Sequence, residues 1–180
     1  RVKQISVMDQ LDLNEHLSKI ERDKLDAIEK EIKSYKDVYG LIDFTDMIQK
    51  FLDKDVTPDF DVIFIDEAQD LSLIQWSMIN KIEKDTNCDV WVAGDDDQAI
   101  FGWAGADVNS FINYNAEEIP LKKSERVPSI IQEAALNVIN RIEENRIDKE
   151  YFPKSETGEI FERYRLSDID MSTGDWLILT

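Results

Sequence analysis

Cysteine and histidine are almost absent from this chain, and basic charge is scarce. The single cysteine, Cys88, cannot form an internal disulfide. That fits a reducing, cytoplasmic compartment. Cys88 stands just before a predicted strand, where packing or loop geometry explains it without chemistry. The single histidine, His16, lies in a charged stretch and reads as a surface residue. No apolar run approaches the ~20 residues of a membrane span, so no membrane partner is expected. No secretory signal opens the sequence, and there are no internal repeats or low-complexity tracts. Lys and Arg number 21 against 39 Asp and Glu, a net charge of −18. Such acidity argues against a simple nucleic-acid binder, which is usually basic. The charge is uneven, however. Residues 121–165 hold nine basic and nine acidic side chains, so most of the excess acid precedes them.

The most informative stretch that is present runs Val62-Ile63-Phe64-Ile65-Asp66-Glu67-Ala68-Gln69-Asp70. Four apolar residues lead straight into carboxylates. An unbroken apolar run predicts a strand buried on both faces, as in parallel sheets. Acidic residues at the carboxyl end of such a strand sit where open α/β sheets bind ligands. A second short apolar strand, 89–93, runs into Gly94-Asp95-Asp96-Asp97-Gln98-Ala99-Ile100-Phe101-Gly102-Trp103. Around these strands the periodicity predicts one long helix or two shorter ones over 9–37. Further helices are predicted over 41–52, 71–84 and 107–114. The 71–84 helix would pack Leu71, Ile74, Met78 and Ile82 inward, widened by Trp76 and Ile79. A boundary is expected near 115–119, then a strand from Ile119 to Leu121. Pro128 suits the first turn of a helix reaching about Asn145. Its Ile130, Ile131, Ala134, Ala135, Val138, Ile139 and Ile142 are expected to be buried. Residues 159–164 and 175–179 read as further strands.

These motifs closely resemble the superfamily I DNA helicases of the UvrD/Rep type. Asp66-Glu67-Ala68-Gln69-Asp70 is similar to their Walker B motif, and Gly94 to Trp103 to their third motif. Leu121-Lys122-Lys123-Ser124-Glu125-Arg126-Val127-Pro128-Ser129-Ile130-Ile131 looks like their fourth motif. Leu41-Ile42-Asp43-Phe44-Thr45-Asp46-Met47 resembles the segment that precedes Walker B. Four motifs in order form a far more specific signal than any one alone.

The resemblance implies a RecA-like α/β P-loop NTPase motor fragment, with a parallel sheet flanked by helices and a helical segment at its N-terminus. Residues 1–40 would be the remnant of a helical insertion, 41–117 the later part of the first motor domain, and 118–180 the opening of the second. The implied cofactors are ATP and Mg²⁺. The implied partners are single-stranded DNA and duplex junctions. Asp66 would bind Mg²⁺, directly or through water. Glu67 would serve as general base or position the attacking water. Gln98 would contact the γ-phosphate and that water; the plainer reading is a turn amide capping its loop. Arg126 would reach the γ-phosphate as an arginine finger, or else be a surface arginine at a strand end. Phe101 and Trp103 would stack on bases, or simply pin their loop to the core, and Trp103 is expected to be the more exposed. Phe44 reads as either core or DNA-facing, with the core favoured.

The chain also departs from the family pattern. It has no Gly-Lys dipeptide, hence no Walker A phosphate loop. Ala104 replaces a common arginine. Glu125 stands where many relatives carry an aromatic that stacks on adenine. The expectation is an internal piece of a helicase that translocates on single-stranded DNA and unwinds duplex, inactive by itself. The rival expectations are a non-hydrolysing DNA- or protein-binding module and the motor part of a helicase–nuclease.

Overall fold

The computed structural model describes residues 19–142, 146–161 and 171–172. His16, the predicted strand at 175–179 and the helical reading before residue 19 lie outside them. The chain divides into two compact units, residues 1–116 with 144–147, and residues 117–143 with 148–180.

The first unit opens with helix α1, Lys19–Tyr39. Gly40 ends it at φ 64°, and the Leu41 N–H reaches back 2.9 Å to the Lys36 carbonyl. This left-handed glycine closure satisfies a carbonyl that the helix leaves open. Helix α2, Phe44–Leu52, starts three residues later than the periodicity suggests because Asp43 caps it. The Asp43 side chain accepts from the Asp46 N–H at 2.8 Å, and the Asp46 side chain accepts from the Asp43 N–H at 3.0 Å. Lys36 of α1 bridges both carboxylates, at 3.0 and 2.5 Å. The lysine and these backbone donors hold both Asp43 and Asp46 below the usual carboxylate range. Phe44, expected in the core, is instead 86% exposed. As the first residue of α2 it lies beside the cap rather than on the face packed against the next helix.

Strand β1, Val62–Ile65, pairs in parallel with β2, Asp89–Val92, in the register Ile63↔Val90 and Ile65↔Val92. Between them runs α3, Leu73–Thr86, capped by Ser72 and Gln75 and closed by Asn87 at φ 52°. Helix α2 packs on α3. The core is Ala68, Trp76 and Ile79, with Ile65, Leu71, Val90, Val92, Phe111 and Tyr114 packed around it. Tyr114 leans on Trp76 with ring centroids 5.6 Å apart, and its hydroxyl meets Glu83 at 3.2 Å. Burial and that carboxylate push the phenol up to about 12. Cys88 is buried and free, a packing residue.

The expectation of a strand buried on both faces is corrected. Along β1 and β2 burial alternates, and Phe64 is 78% exposed, stacked on the exposed Trp91 at 6.3 Å. Only the Ile63/Ile65 and Val90/Val92 side meets the core; among the described residues nothing covers the other. Met78 and Ile82 of α3 are only partly buried, because Trp76 and Ile79, not they, meet the sheet.

After β2 the chain makes two single-turn helices, Asp96–Gln98 and Gly102–Ala104, then α4, Val108–Ile112. In the second unit, α5 runs Ser129–Ile139 with Pro128 at its N-cap. It stops short of Asn145 because Arg141 and Ile142 bond three residues back, to Val138 and Ile139, and so tighten the last turn. The apolar face expected to be buried is not. Ile130 and Ile139 are half-buried, while Ile131, Ala134, Ala135, Val138 and Ile142 are exposed. No strand forms over 119–121 or 159–161. Among the described residues of this unit the only bridge is the isolated Lys123↔Phe152, outside both ranges, and without a continuous partner a strand has no ladder.

Candidate functional site

Both parallel strands end in acidic turns, and the ladder continues beyond them to bring the turns together. The Ala93 N–H donates to the Ile65 carbonyl at 2.8 Å, and the Ala68 N–H donates to the Ala93 carbonyl at 3.0 Å. Asp66 and Glu67 therefore emerge beside Gly94 and Asp95, at the carboxyl ends of β1 and β2. Asp66 is exposed, and its Oδ1 accepts from the Glu67 N–H at 2.9 Å. Glu67 is exposed too, with φ 50° and ψ 43°.

Beneath these carboxylates lies Gln69, 1% exposed. Its Nε2 donates to Glu67 Oε2 at 2.8 Å, and its Oε1 accepts from the Asp95 N–H at 3.0 Å. The Asp95 side chain caps the next turn: Oδ1 accepts from the Asp97 N–H at 3.2 Å, and Oδ2 accepts from Gln98 Nε2 at 2.7 Å. Three hydrogen bonds thus join Glu67 to Gln98 through Gln69 and Asp95. Gly94 makes this possible, since a Cβ there would stand 2.7 Å from Gln69 Oε1 and 3.0 Å from the Phe111 ring. The other two aspartates of the turn are tied down as well. Arg146 Nε donates to Asp97 at 2.6 Å, and the Ile147 N–H donates to Asp96 at 2.7 Å.

Asp70 closes the first acidic turn. Its Oδ1 is buried with no hydrogen-bond partner among the described residues, and burial, then the Glu67 charge, raises its pKa.

The aromatic loop follows. The Asp107 N–H donates to the Leu71 carbonyl at 2.8 Å, and Ala106 bridges to Ser72, so the loop is anchored at the start of α3. Gly105, at φ 100°, turns the chain back. Trp103 is 85% exposed and Phe101 42%, the order expected, and their rings are tilted with centroids 6.4 Å apart.

Residues 3–119 match the UvrD/REP helicase N-terminal domain. The chain belongs to this helicase family. It is 30% identical over 138 residues to the ATP-dependent DNA helicase PcrA of Leuconostoc citreum, covering 69% of this chain and 18% of that protein. It is 33% identical over 139 residues to DNA helicase II of Escherichia coli K12, covering 69% and 19%. A probable DNA helicase II homolog of Rickettsia felis is 37% identical over 105 residues, covering 54% and 15%. The matched part of the chain therefore spans only 15% to 19% of the length of these relatives. Its mixed architecture, helices around a small parallel sheet, is consistent with a UvrD-type N-terminal region. No helix among the described residues is long and apolar enough to cross a membrane.

Of the residues singled out in the sequence, the fold links Glu67 with Gln98 through hydrogen bonds and sets Asp66 next to Glu67. Phe101 and Trp103 share one loop. Arg126 is exposed in the second unit, its N–H bonded to Ser124 Oγ at 3.2 Å. Gln69, Gly94, Asp95 and Arg146 escaped notice as site residues. Gln69, Gly94 and Asp95 were inside the motifs, where a buried bridging amide has no composition signal. Arg146 lies 49 positions from Asp97, and no local pattern predicts that pairing.

Proposed function

We propose that this chain is part of an ATP-dependent DNA helicase, spanning the later part of one RecA-like motor domain and the opening of a second. The observation that carries the reading is the pair of acidic turns at the carboxyl ends of two parallel strands, joined by hydrogen bonds from Glu67 to Gln98. A γ-phosphate and its attacking water need a carboxylate and an amide held in one frame, and hydrolysis asks for positioning more than covalent chemistry.

In this reading Asp66 holds Mg²⁺. It is an exposed hard-oxygen ligand with one oxygen engaged by a backbone N–H, and Mg²⁺ at phosphate sites takes only one or two carboxylates. Bound there, the ion would neutralise charge on the phosphate oxygens. Glu67 orients the attacking water and accepts its proton. Gln98 has one amide hydrogen held by Asp95, and the second is left for a phosphate oxygen. Arg126, by the resemblance, would act as an arginine finger that supplies positive charge to the transition state. Trp103 and Phe101 offer π-faces to single-stranded bases, which suits movement over any sequence. Stacking also explains how so acidic a segment takes part in DNA binding. With no Gly-Lys phosphate loop, the 180 residues alone do not turn over ATP.

The test is Glu67→Gln in the full-length protein. Nucleotide binding should hold while DNA-stimulated ATP turnover falls at least ~10²-fold, since the base is lost and the shape kept. A variant that retains most of its turnover would refute the assignment, and Mg²⁺-dependent turnover by the isolated chain would refute its inactivity alone.

A further inference from the structure

Gln69 is the most deeply buried polar side chain at the site, yet the roles given to Asp66, Glu67 and Gln98 do not use it. Its two ends face groups of opposite kind. The Asp95 N–H can only donate, so the amide oxygen must be the end that meets it. The nitrogen is then fixed on Glu67 Oε2, where it can only donate. The network thus sets the amide orientation with no free choice. Rotation is blocked by burial at 1% exposure and by the close approach of Gly94. Burying such an amide is favourable only when both ends are satisfied, and both are.

We infer that Gln69 is the positioning residue of the hydrolytic site, a rigid amide through which the turn bearing Gln98 sets the place of the Glu67 carboxylate. The inference rests on the proposed role of Glu67. It adds a reason why the site is cooperative. Asp95 holds Gln98 with its side chain and Gln69 with its backbone, so a shift of that turn moves the phosphate-contacting amide and the carboxylate together. No additional group is needed to keep the two in step. Gln69 makes no contact with nucleotide in this account and acts only through Glu67.

The discriminating variant is Gln69→Glu in the full-length protein. It keeps the size and the acceptor for the Asp95 N–H, but it replaces the donor to Glu67 with a second carboxylate. The expected result is a folded protein, with a Tm lowered by the carboxylate now buried beside Glu67, and a KM for ATP within about twofold of wild type. Its kcat should fall tenfold or more, in line with a lost positioning contact. In a Glu67→Gln background the same change should cost no further activity, because its effect passes through Glu67. Gln69→Met, which keeps the volume without either hydrogen bond, is read in the same assays should the second carboxylate prevent folding. It too should lower kcat and spare KM. Wild-type kcat in a folded Gln69 variant overturns the inference. So does a loss that multiplies with that of Glu67→Gln. If Glu67→Gln itself retains turnover, the role of Glu67 has failed and this inference with it. If Glu67→Gln is inactive while the Gln69 variants are not, only the positioning role has failed.

Discussion

Trp103→Ala gives the sharpest test of the DNA reading, because the ring is 85% exposed and its loss can be separated from damage to the fold. The ring forms a tilted pair with Phe101, an arrangement worth ~0.5–1.5 kcal/mol beyond area burial. The cost to stability should therefore stay near or below ~1.5 kcal/mol. Trp76 provides the contrast. It is 3% exposed against Ala68, Ile79 and Tyr114, and truncating a tryptophan so placed costs ~3–5 kcal/mol. If Trp103 stacks on a base, its removal should weaken single-strand binding by ~1–3 kcal/mol, or about 5- to 150-fold in Kd. The slope of log affinity against log salt should barely change, since no phosphate contact is lost. Trp103→Phe should keep much of the affinity, because a π-face remains. The assay is a fluorescence titration of the full-length protein with oligo-dT at several salt concentrations, with circular dichroism to confirm folding. A folded Trp103→Ala variant that binds like wild type refutes the stacking role. A variant whose salt slope drops by a full phosphate contact refutes the reasoning about charge.

Gln98→Ala and Arg126→Ala should each impair ATP turnover in the full-length protein, and a double-mutant cycle should show them non-additive, as both are proposed to act on one transition state. Strict additivity, or a wild-type rate for either, would make these side chains structural. Asp70→Asn should raise the thermal stability of the chain at pH 7. Burial and Glu67 raise the folded-state pKa of Asp70 above its ordinary 3.8, so the folded state holds this proton more tightly than the unfolded one. The stability tied to Asp70 is thus full below that ordinary value and is lost as pH rises through the folded one. The advantage of the asparagine should fade below about pH 4. A Tm offset that is equal at pH 3.5 and pH 7 would disprove the account.

The elements of the first unit were largely legible, and for local reasons. The sequence reading places strands over 61–66 and 89–93, within a residue of their observed ends, and the helix between them within two. Its start was misread by those two residues because Ser72 and Gln75 form a cap that apolar spacing does not reveal. Exposure was harder to read. Four apolar residues in a row cannot say whether a second layer covers Val62 and Phe64, because burial depends on what packs there and not on the strand itself. The same limit applies to α5, where Pro128 marks the start but the apolar face has no partner among the described residues. The acidic turns were visible as chemistry, but the amide that ties them together was not. Hydrogen bonds between positions 69 and 95 leave no periodic trace in a sequence.

Glu67 occupies the left-handed region at φ 50°, and it is not glycine. A side chain with a Cβ pays ~1–2 kcal/mol for that backbone, a strain that glycine escapes and asparagine tolerates better. The carboxylate is therefore kept at a position where the backbone alone would favour another residue. A laboratory selection for heat resistance, run without a turnover assay, would be drawn to glycine or asparagine at 67. It would enrich well-folded proteins that had discarded their carboxylate. Engineering this domain thus requires that position 67 be held fixed before any library is built.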